Sequence, residues 1–181
     1  AFPNVMKCLE SGTPTVVGTT GWLHLLPQAQ AACRQHHAAL LVSSNFSIGV
    51  NLFFAINSYV AQLMDQHPEY RVSIEEIHHT QKKDRPSGTA ITLAEQILSR
   101  QKRKTKWVSG ETGKAEEISI TSKRIDPVPG THTVLYNSEI DTLEIKHTAH
   151  SRMGFANGAV WAAEFLQDKT GIFEMRDVLG L

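Results

Sequence analysis

Cysteine is scarce in this chain, and long apolar runs are absent. Cys8 and Cys33 are the only cysteines, which is too few for the disulfide framework of a small secreted protein. The sequence shows no signal-peptide pattern and no apolar stretch of membrane-spanning length. We therefore expect a cytoplasmic protein without a membrane partner.

The chain also lacks an excess of charge of either sign. Lys plus Arg and Asp plus Glu number 18 each, so neither nucleic acid nor a membrane surface is indicated as a partner. One basic cluster follows a predicted helix, at Arg100, Lys102, Arg103, Lys104 and Lys106. Because cations complement the dipole at a helix C-terminus, we expect this cluster to be solvated rather than to contact a phosphate or cofactor.

The segment from His78 to Ala90 is the most informative part of the sequence. It places two histidines and two lysines ahead of a helix start within thirteen residues. After Pro86, a Ser-Gly-Thr triplet typical of a helix entrance leads into apolar residues with helical spacing, at Ala90, Ile91, Leu93, Ala94, Ile97 and Leu98. The pattern predicts a helix that begins near Thr89.

A helix start at this point is a candidate anion site. The first amides of a helix have no internal partners and lie at the positive end of the macrodipole. Gly88 lets a ligand approach the backbone closely, so a carboxylate or phosphate would fit at Gly88 and Thr89. The alternative is that Ser87 or Thr89 is simply an N-cap and that the upstream charges are solvated.

A strand delivers the histidine pair to the same place. Tyr70, Val72 and Ile74 alternate with polar residues, which is typical of a half-buried strand that runs into the pair His78 and His79. We therefore expect one site to contain the strand end, the two histidines, the basic loop and the helix start. Adjacent histidines are also metal ligands in many proteins, but no further ligand stands at a useful local spacing and a closed site needs about four. We therefore predict no metal.

These residues resemble the signature of the dihydrodipicolinate reductases, E-x-H-H-x-x-K-x-D-x-P-S-G-T-A. The matching stretch runs from Glu76 through Lys82 and Asp84 to Ala90. Three more segments match the same family in the expected order, at Val17–Trp22, Ser44–Asn51 and Ser151–Val160. The resemblance implies reduction of a cyclic intermediate of diaminopimelate and lysine biosynthesis with NADH or NADPH as the cofactor.

The resemblance also implies roles for single residues. Hydride addition to a conjugated cyclic imine leaves negative charge on the ring, and an acid must quench it. By the family match that acid is His78, and Lys82 is the assisting donor. His79, Gly88 and Thr89 correspond to contacts with the carboxylates of a dicarboxylate substrate. Lys83 is taken as a surface charge outside the site.

Two turns after buried strands correspond to the family's cofactor contacts. The first is Gly18, Thr19 and Thr20, and the second is Ser43, Ser44, Asn45 and Phe46, which is also expected to be part of the hinge between domains. Backbone atoms at the carboxyl ends of such strands can reach a nicotinamide ring. From the residues alone, either segment is equally well an ordinary turn.

The expected fold is α/β, with a partial Rossmann-type dinucleotide domain and an α+β substrate domain that holds an open mixed sheet. The periodicity predicts a β-α-β unit from strands at 15–17 and 40–42 around a helix at 23–37, interrupted near Pro27. It further predicts helices at 49–64 and 155–166, strands at 118–120 and 143–147, and a turn at 128–130. The resemblance, not the periodicity, implies the domain plan: 1–47 dinucleotide-binding, 48–153 substrate-binding and tetramerisation, and 154–181 a helical return.

No G-x-G-x-x-G motif occurs in the chain. Since the family carries its version of that pyrophosphate turn near the N-terminus, we expect a fragment that starts partway through the nucleotide domain. The alternative function is a non-catalytic dicarboxylate-binding fragment. Two departures from the family pattern stand out: Arg85 replaces a common alanine, and the region at 128–134 is short, which bears on the details of the expected homotetramer.

Overall fold

The computed structural model describes residues 1–181 and divides into two compact units. The first comprises Ala1–Asn51 with Met153–Leu181, and the second comprises Leu52–Arg152. None of the helices has the length and apolarity that a membrane crossing requires. The helices are α1 Phe2–Glu10, α2 Leu26–Gln35, α3 Ile48–Met64, α4 Gly88–Arg100, α5 Met153–Phe165 and α6 Met175–Leu179. The strands are β1 Thr15–Val17, β2 Ala39–Val42, β3 Arg71–His78, β4 Lys106–Ser109, β5 Glu117–Arg124, β6 Gly130–Asn137, β7 Thr142–Ala149 and β8 Gly171–Phe173.

The first unit is a parallel three-stranded sheet in the order β1-β2-β8. Successive side chains of a strand point to opposite faces, and β2 shows the consequence. Leu40 packs in the cluster that holds residues of α1 and α2, whereas Ala39 and Leu41 pack with residues of α5 and α6. Helices therefore cover both faces, which explains why β2 is apolar along its length.

The predicted β-α-β unit is confirmed, with one change at its helix. Leu23–Leu25 form a separate 3-10 turn, and α2 starts at Leu26 with Pro27 in its first turn. Proline is tolerated there because the first amides of a helix have no intrahelical acceptor. The sequence pattern did not predict α1, β8 or α6. A three-residue strand such as β8 is too short to show a recognisable alternation of apolar and polar residues. Its hydrogen-bonded pairing with β2 stabilises it as a strand.

The second unit holds a five-stranded mixed sheet in the order β4-β5-β3-β6-β7. β5 runs parallel to β3 and β4, whereas β6 is antiparallel to β3 and β7. Its core joins residues of α3 and α4 to those of β3, β5 and β6, with Ile74, Ile118 and Tyr136 among the most buried. The predicted α/β architecture with a mixed sheet is confirmed, as are the helix at 49–64 and the strands at 118–120 and 143–147.

The prediction of a solvated basic cluster after α4 is wrong at two residues. The Lys104 side chain is buried, and its Nζ donates to the carbonyl of Ala115. Arg103 donates to the carbonyls of Met64 and Asp65 at the end of α3. The last carbonyls of a helix lack intrahelical donors, so the guanidinium satisfies them and complements the negative end of the dipole.

Candidate active site

Strand β3 delivers two ionisable side chains to its buried face. Buried and partly exposed residues alternate along β3, so that Glu76 and His78 lie on the same face as Val72 and Ile74. Glu76 is fully buried and His78 is 7% exposed. The strand ends at His78, as the alternation predicted. A buried carboxylate is costly unless it is paired, so its partners determine what this site can do.

The carboxylate of Glu76 is surrounded by donors. Its Oε1 accepts from the amide of Ser87 at 3.2 Å and from Nη2 of Arg124 at 3.1 Å. Its Oε2 lies 3.0 Å from Nδ1 of His78 and 3.8 Å from Nε2 of His132. Burial alone would raise the pKa of Glu76, but the contacts from His78, Ser87 and Arg124 hold that pKa well below its usual range. Glu76 is therefore a carboxylate at neutral pH.

His132 on β6 is the second buried imidazole. Its ring packs edge-on against that of His78 with centroids 4.9 Å apart, and its Nε2 lies 3.1 Å from Oγ of Ser87. Burial, together with the charge of His78, lowers the pKa of His132 to about 3. His132 is consequently neutral at physiological pH and links β6 to the start of α4.

Arg124 at the end of β5 connects this buried group to the basic loop. Besides its contact with Glu76, it donates from Nε to the carbonyl of Lys82 at 3.3 Å and from Nη2 to the carbonyl of Asp84 at 2.6 Å. The ammonium of Lys82 in turn lies 2.8 and 2.9 Å from the two oxygens of Asp84. The loop that carries Lys82 is thus anchored to the same carboxylate that contacts His78.

The start of α4 presents an open helix terminus. Ser87 is the N-cap, and its side chain accepts from the amide of Ala90, which confirms the capping role for Ser87 and places the helix start at Gly88, one residue before the predicted position. The amides of Gly88 and Thr89 precede the first intrahelical hydrogen bond. Gly88 is exposed, and a Cβ added there would meet no atom within 4 Å. A ligand therefore has room beside these amides.

His79 faces a different direction from His78, as expected for successive residues at a strand end. Its Nε2 lies 3.5 Å from a guanidinium nitrogen of Arg152. Both residues line an open cavity of about 300 Å³, together with Gln81, Asp126, Pro127, Val128 and Pro129. The two adjacent histidines are thus in different surroundings, one against a buried carboxylate and the other beside an exposed cation.

The predicted cofactor residues lie in the first unit at the ends of two neighbouring parallel strands. Gly18, Thr19 and Thr20 follow β1, and the segment from Ser43 to Phe46 follows β2. The two segments meet, because a Cβ at Gly18 would lie 3.1 Å from the ring of Phe46. Oγ of Ser43 donates to the carbonyl of Asn45, whose side chain accepts from the amide of Ser47. Hydrogen bonds among its own residues therefore stabilise this turn.

Gly158 on α5 touches this second turn. A Cβ at residue 158 would overlap the carbonyl oxygen of Phe46. Gly158→Ala should therefore destabilise the protein by about 1 to 3 kcal/mol by overpacking, although the same change in a helix normally stabilises by roughly 0.5 to 1 kcal/mol. Urea unfolding of the variant measures the effect. Gly21→Ala is the matched control, since its Cβ would meet nothing within 4 Å; equal stability of the two variants would contradict the close approach.

Three donors in the second unit fall within reach of a single metal ion. Donor atoms of Glu76, His78 and His132 all lie within 4.8 Å of one another. Local spacing in the sequence does not indicate the third ligand, because His132 is far along the chain. The guanidinium of Arg124 contacts the same carboxylate and already supplies the positive charge that a metal would bring. The prediction of no metal therefore stays a prediction.

Three residues of this site were not among the predicted ones: Glu76, Arg124 and His132. Glu76 could have been found, since the period-two alternation that buries Ile74 also buries Glu76. Arg124 and His132 could not, because they reach the site through strand pairing. Residue 78 is in register with Arg124 on β5, and Glu76 is in register with His132 on β6.

Comparisons with known proteins agree on one family. The family model described as dihydrodipicolinate reductase, C-terminus, matches residues 49–179. A 4-hydroxy-tetrahydrodipicolinate reductase of Christiangramia forsetii is 53% identical over 99% of this chain and 74% of its own length. Another, of Methanosarcina barkeri, is 40% identical over 98% of this chain and 68% of its own length.

A solved structure agrees with these sequence matches at the level of fold. The dihydrodipicolinate reductase of Paenisporosarcina sp. TG-14, whose structure is described as dipicolinate-bound, superposes with a TM-score of 0.77 at 24% identity. The match covers 96% of this chain and 67% of that one. Since the family model spans most of the chain and the curated relatives exceed 30% identity, this chain belongs to the dihydrodipicolinate reductases, the pyridine-nucleotide-dependent 4-hydroxy-tetrahydrodipicolinate reductases of lysine and diaminopimelate biosynthesis.

Proposed function

We propose that the reductase reaction of this family takes place at the mouth formed by the end of β3, the 79–86 loop and the start of α4. The reaction is reduction of a dihydrodipicolinate-type cyclic imine to tetrahydrodipicolinate. The observation that carries the proposal is the juxtaposition at that mouth. An imidazole beside a buried carboxylate lies next to a cationic loop, and the loop leads directly into an open helix N-terminus.

His78 acts as the general acid in this proposal. NADH or NADPH, when bound, supplies the hydride. Negative charge then develops on the substrate ring, and the imidazolium of His78 donates a proton to it. Lys82 is the assisting donor, and its ion pair with Asp84 holds the ammonium close to the loop.

The carboxylates of the substrate bind to His79, Gly88 and Thr89. The amides at the start of α4 point toward an anion with the favourable end of the helix dipole behind them. Arg152 beside His79 adds a cation to the same region. The Paenisporosarcina relative is described with dipicolinate, a planar pyridine dicarboxylate. A ligand of this kind has two carboxylates, one for the amides at the start of α4 and one for the cations beside His79.

The cofactor contacts are Gly18, Thr19 and Thr20 with Ser43, Ser44, Asn45 and Phe46. The fit rests on two adjoining turns at the carboxyl ends of neighbouring parallel strands, the position at which α/β sheets bind nucleotides. We extend the proposal to the domain plan. Residues 1–47 belong to a Rossmann-type dinucleotide domain, 48–153 form the substrate-binding and tetramerisation domain, and 154–181 return to the first. The two compact units support this division.

Binding of pyridine-2,6-dicarboxylate tests the location of the anion contacts. Lys82→Ala should weaken its binding by about 10- to 150-fold, because a charge-assisted contact contributes about 1.5 to 3 kcal/mol and each 1.4 kcal/mol is tenfold in affinity. The affinity of the unchanged protein should fall as salt rises. Calorimetry in low and high salt measures both effects. Lys83→Ala is the matched control. Equal affinities of the two variants, or affinity independent of salt, would place the ligand elsewhere.

A homotetramer completes the proposal. The helices of the second unit pack on one face of the five-stranded sheet, and β7 at its edge is largely exposed. Leu143 on β7 is 40% accessible, and Ile140 in the turn between β6 and β7 is 93% accessible. An exposed edge strand that carries apolar side chains is a surface that favours association of copies. Light scattering should give a mass near four times 20.1 kDa; a monomer mass at micromolar concentration would refute the tetramer.

A further inference from the structure

We propose that Glu76 is the positioning residue of His78: its buried carboxylate accepts a hydrogen bond from Nδ1 and thereby leaves Nε2 as the nitrogen that gives up a proton. The inference rests on the proposed role of His78 as the acid. Glu76 itself touches no substrate in this account.

The unmatched atoms of the site support this pairing. One oxygen of Glu76, Oε1, already accepts from Ser87 and Arg124. The other, Oε2, lies 3.0 Å from Nδ1 of His78, and both atoms are buried. Nε2 of His132 is farther from Oε2, at 3.8 Å. Leaving a buried donor or acceptor unsatisfied costs about 1 to 3 kcal/mol. A proton on Nδ1 satisfies both atoms at once.

The other end of the ring has no competing partner. Nε2 of His78 faces Gly130, where an added Cβ would lie only 3.1 Å away. The neighbouring ring of His132 is turned edge-on and is neutral because its pKa is about 3. Turning the ring of His78 by 180° would place a carbon against the carboxylate, so the unsatisfied oxygen selects the orientation.

The carboxylate is itself held in place, as a positioning residue must be. The side chain of Arg124 is 4% exposed and bonds Oε1 together with the carbonyls of Lys82 and Asp84. When Nε2 releases its proton to the substrate ring, His78 becomes neutral and keeps the proton on Nδ1, while Glu76 remains a carboxylate. The loop that carries Lys82 and the ring of His78 are therefore oriented by one group.

The tautomer of His78 tests the proposal in the unmodified protein. Ring-nitrogen chemical shifts of protein labelled with ¹⁵N-histidine distinguish a protonated Nδ1 from a protonated Nε2, and comparison with His78→Gln assigns the signal. We expect the neutral ring to carry its proton on Nδ1. A neutral ring that is protonated on Nε2 would overturn the proposal, and this measurement needs no variant at position 76 to fold.

Kinetics of the full-length reductase provide the second arm. Glu76→Gln should lower kcat on the order of 10²-fold, since loss of the correct tautomer removes most of a general acid's contribution, with KM for the imine changed by less than about threefold. Glu75→Gln is the matched control, because Glu75 lies on the opposite face of β3 and pairs with Lys123. Full turnover of Glu76→Gln would contradict the positioning role.

Kinetics of His78→Gln, combined with the tautomer measurement, separate this inference from the proposed function. Retained turnover in His78→Gln would show that His78 is not the acid, whatever the tautomer. A low kcat in His78→Gln together with an Nε2-protonated ring in the unmodified protein would leave the acid in place and reject Glu76 as its positioning residue.

Discussion

His78→Gln in the full-length reductase is expected to lower kcat by on the order of 10²-fold or more while leaving nucleotide affinity nearly unchanged. Glutamine fills similar space but has no group that donates a proton readily near neutral pH. The proposed nucleotide contacts lie in the other unit of the chain, so binding of NADH or NADPH should persist. Steady-state kinetics and a nucleotide titration measure the two quantities.

An exposed histidine provides the control for that experiment. The side chain of His67 pairs with Glu69 and is 56% exposed, so His67→Gln should keep normal turnover. If His78→Gln also kept normal turnover, His78 would be excluded as the acid. A matching fall in nucleotide affinity would instead indicate a wider structural disturbance than the contacts of His78 predict.

Acid is expected to destabilise the fold through His132. The folded-state pKa of this residue is about 3, below the 6.5 of an unperturbed histidine. The unfolded chain therefore takes up a proton first as the pH falls below 6.5, which favours unfolding down to about pH 3. The loss is about 1.4 kcal/mol per pH unit, or roughly 2 kcal/mol between pH 7 and pH 5.

Urea unfolding at several pH values measures this loss. His132→Gln should remove that slope between pH 7 and pH 5, whereas His36→Gln, at an exposed position, should keep it. Glu76 acts in the same direction only at lower pH. Because its folded-state pKa is depressed, its contribution is complete above about 4.5 and is lost as the pH falls through the folded value. An unchanged slope in His132→Gln would contradict a buried, neutral His132.

The sequence predicts well those parts of the fold that local pattern determines. The alternation that leads to His78 and the helical spacing that follows Ser87 both give elements close to the observed β3 and α4. The apolar run of β2 likewise reports burial on both faces. In each case one segment of chain contains the whole signal.

Long-range pairing accounts for what the sequence did not predict. β8 is three residues long and forms a strand because β2 offers it a parallel partner. The residues around Arg124 in the sequence suggest a surface cation. Strand pairing places it beside His78, where its side chain is buried against Glu76. Lys104 also has the local pattern of a solvated cation, and the fold buries it. Burial of a charged residue depends on which acceptors the fold brings to it.

The location of the bound dicarboxylate tests the account most directly. Amide chemical shifts of the labelled protein, recorded while pyridine-2,6-dicarboxylate is added, report which backbone groups the ligand meets. We predict the largest changes at Gly88 and Thr89, with further changes at His79 and Lys82. Saturable binding whose largest changes lie away from the start of α4, with Gly88 and Thr89 unaffected, would contradict the proposed site.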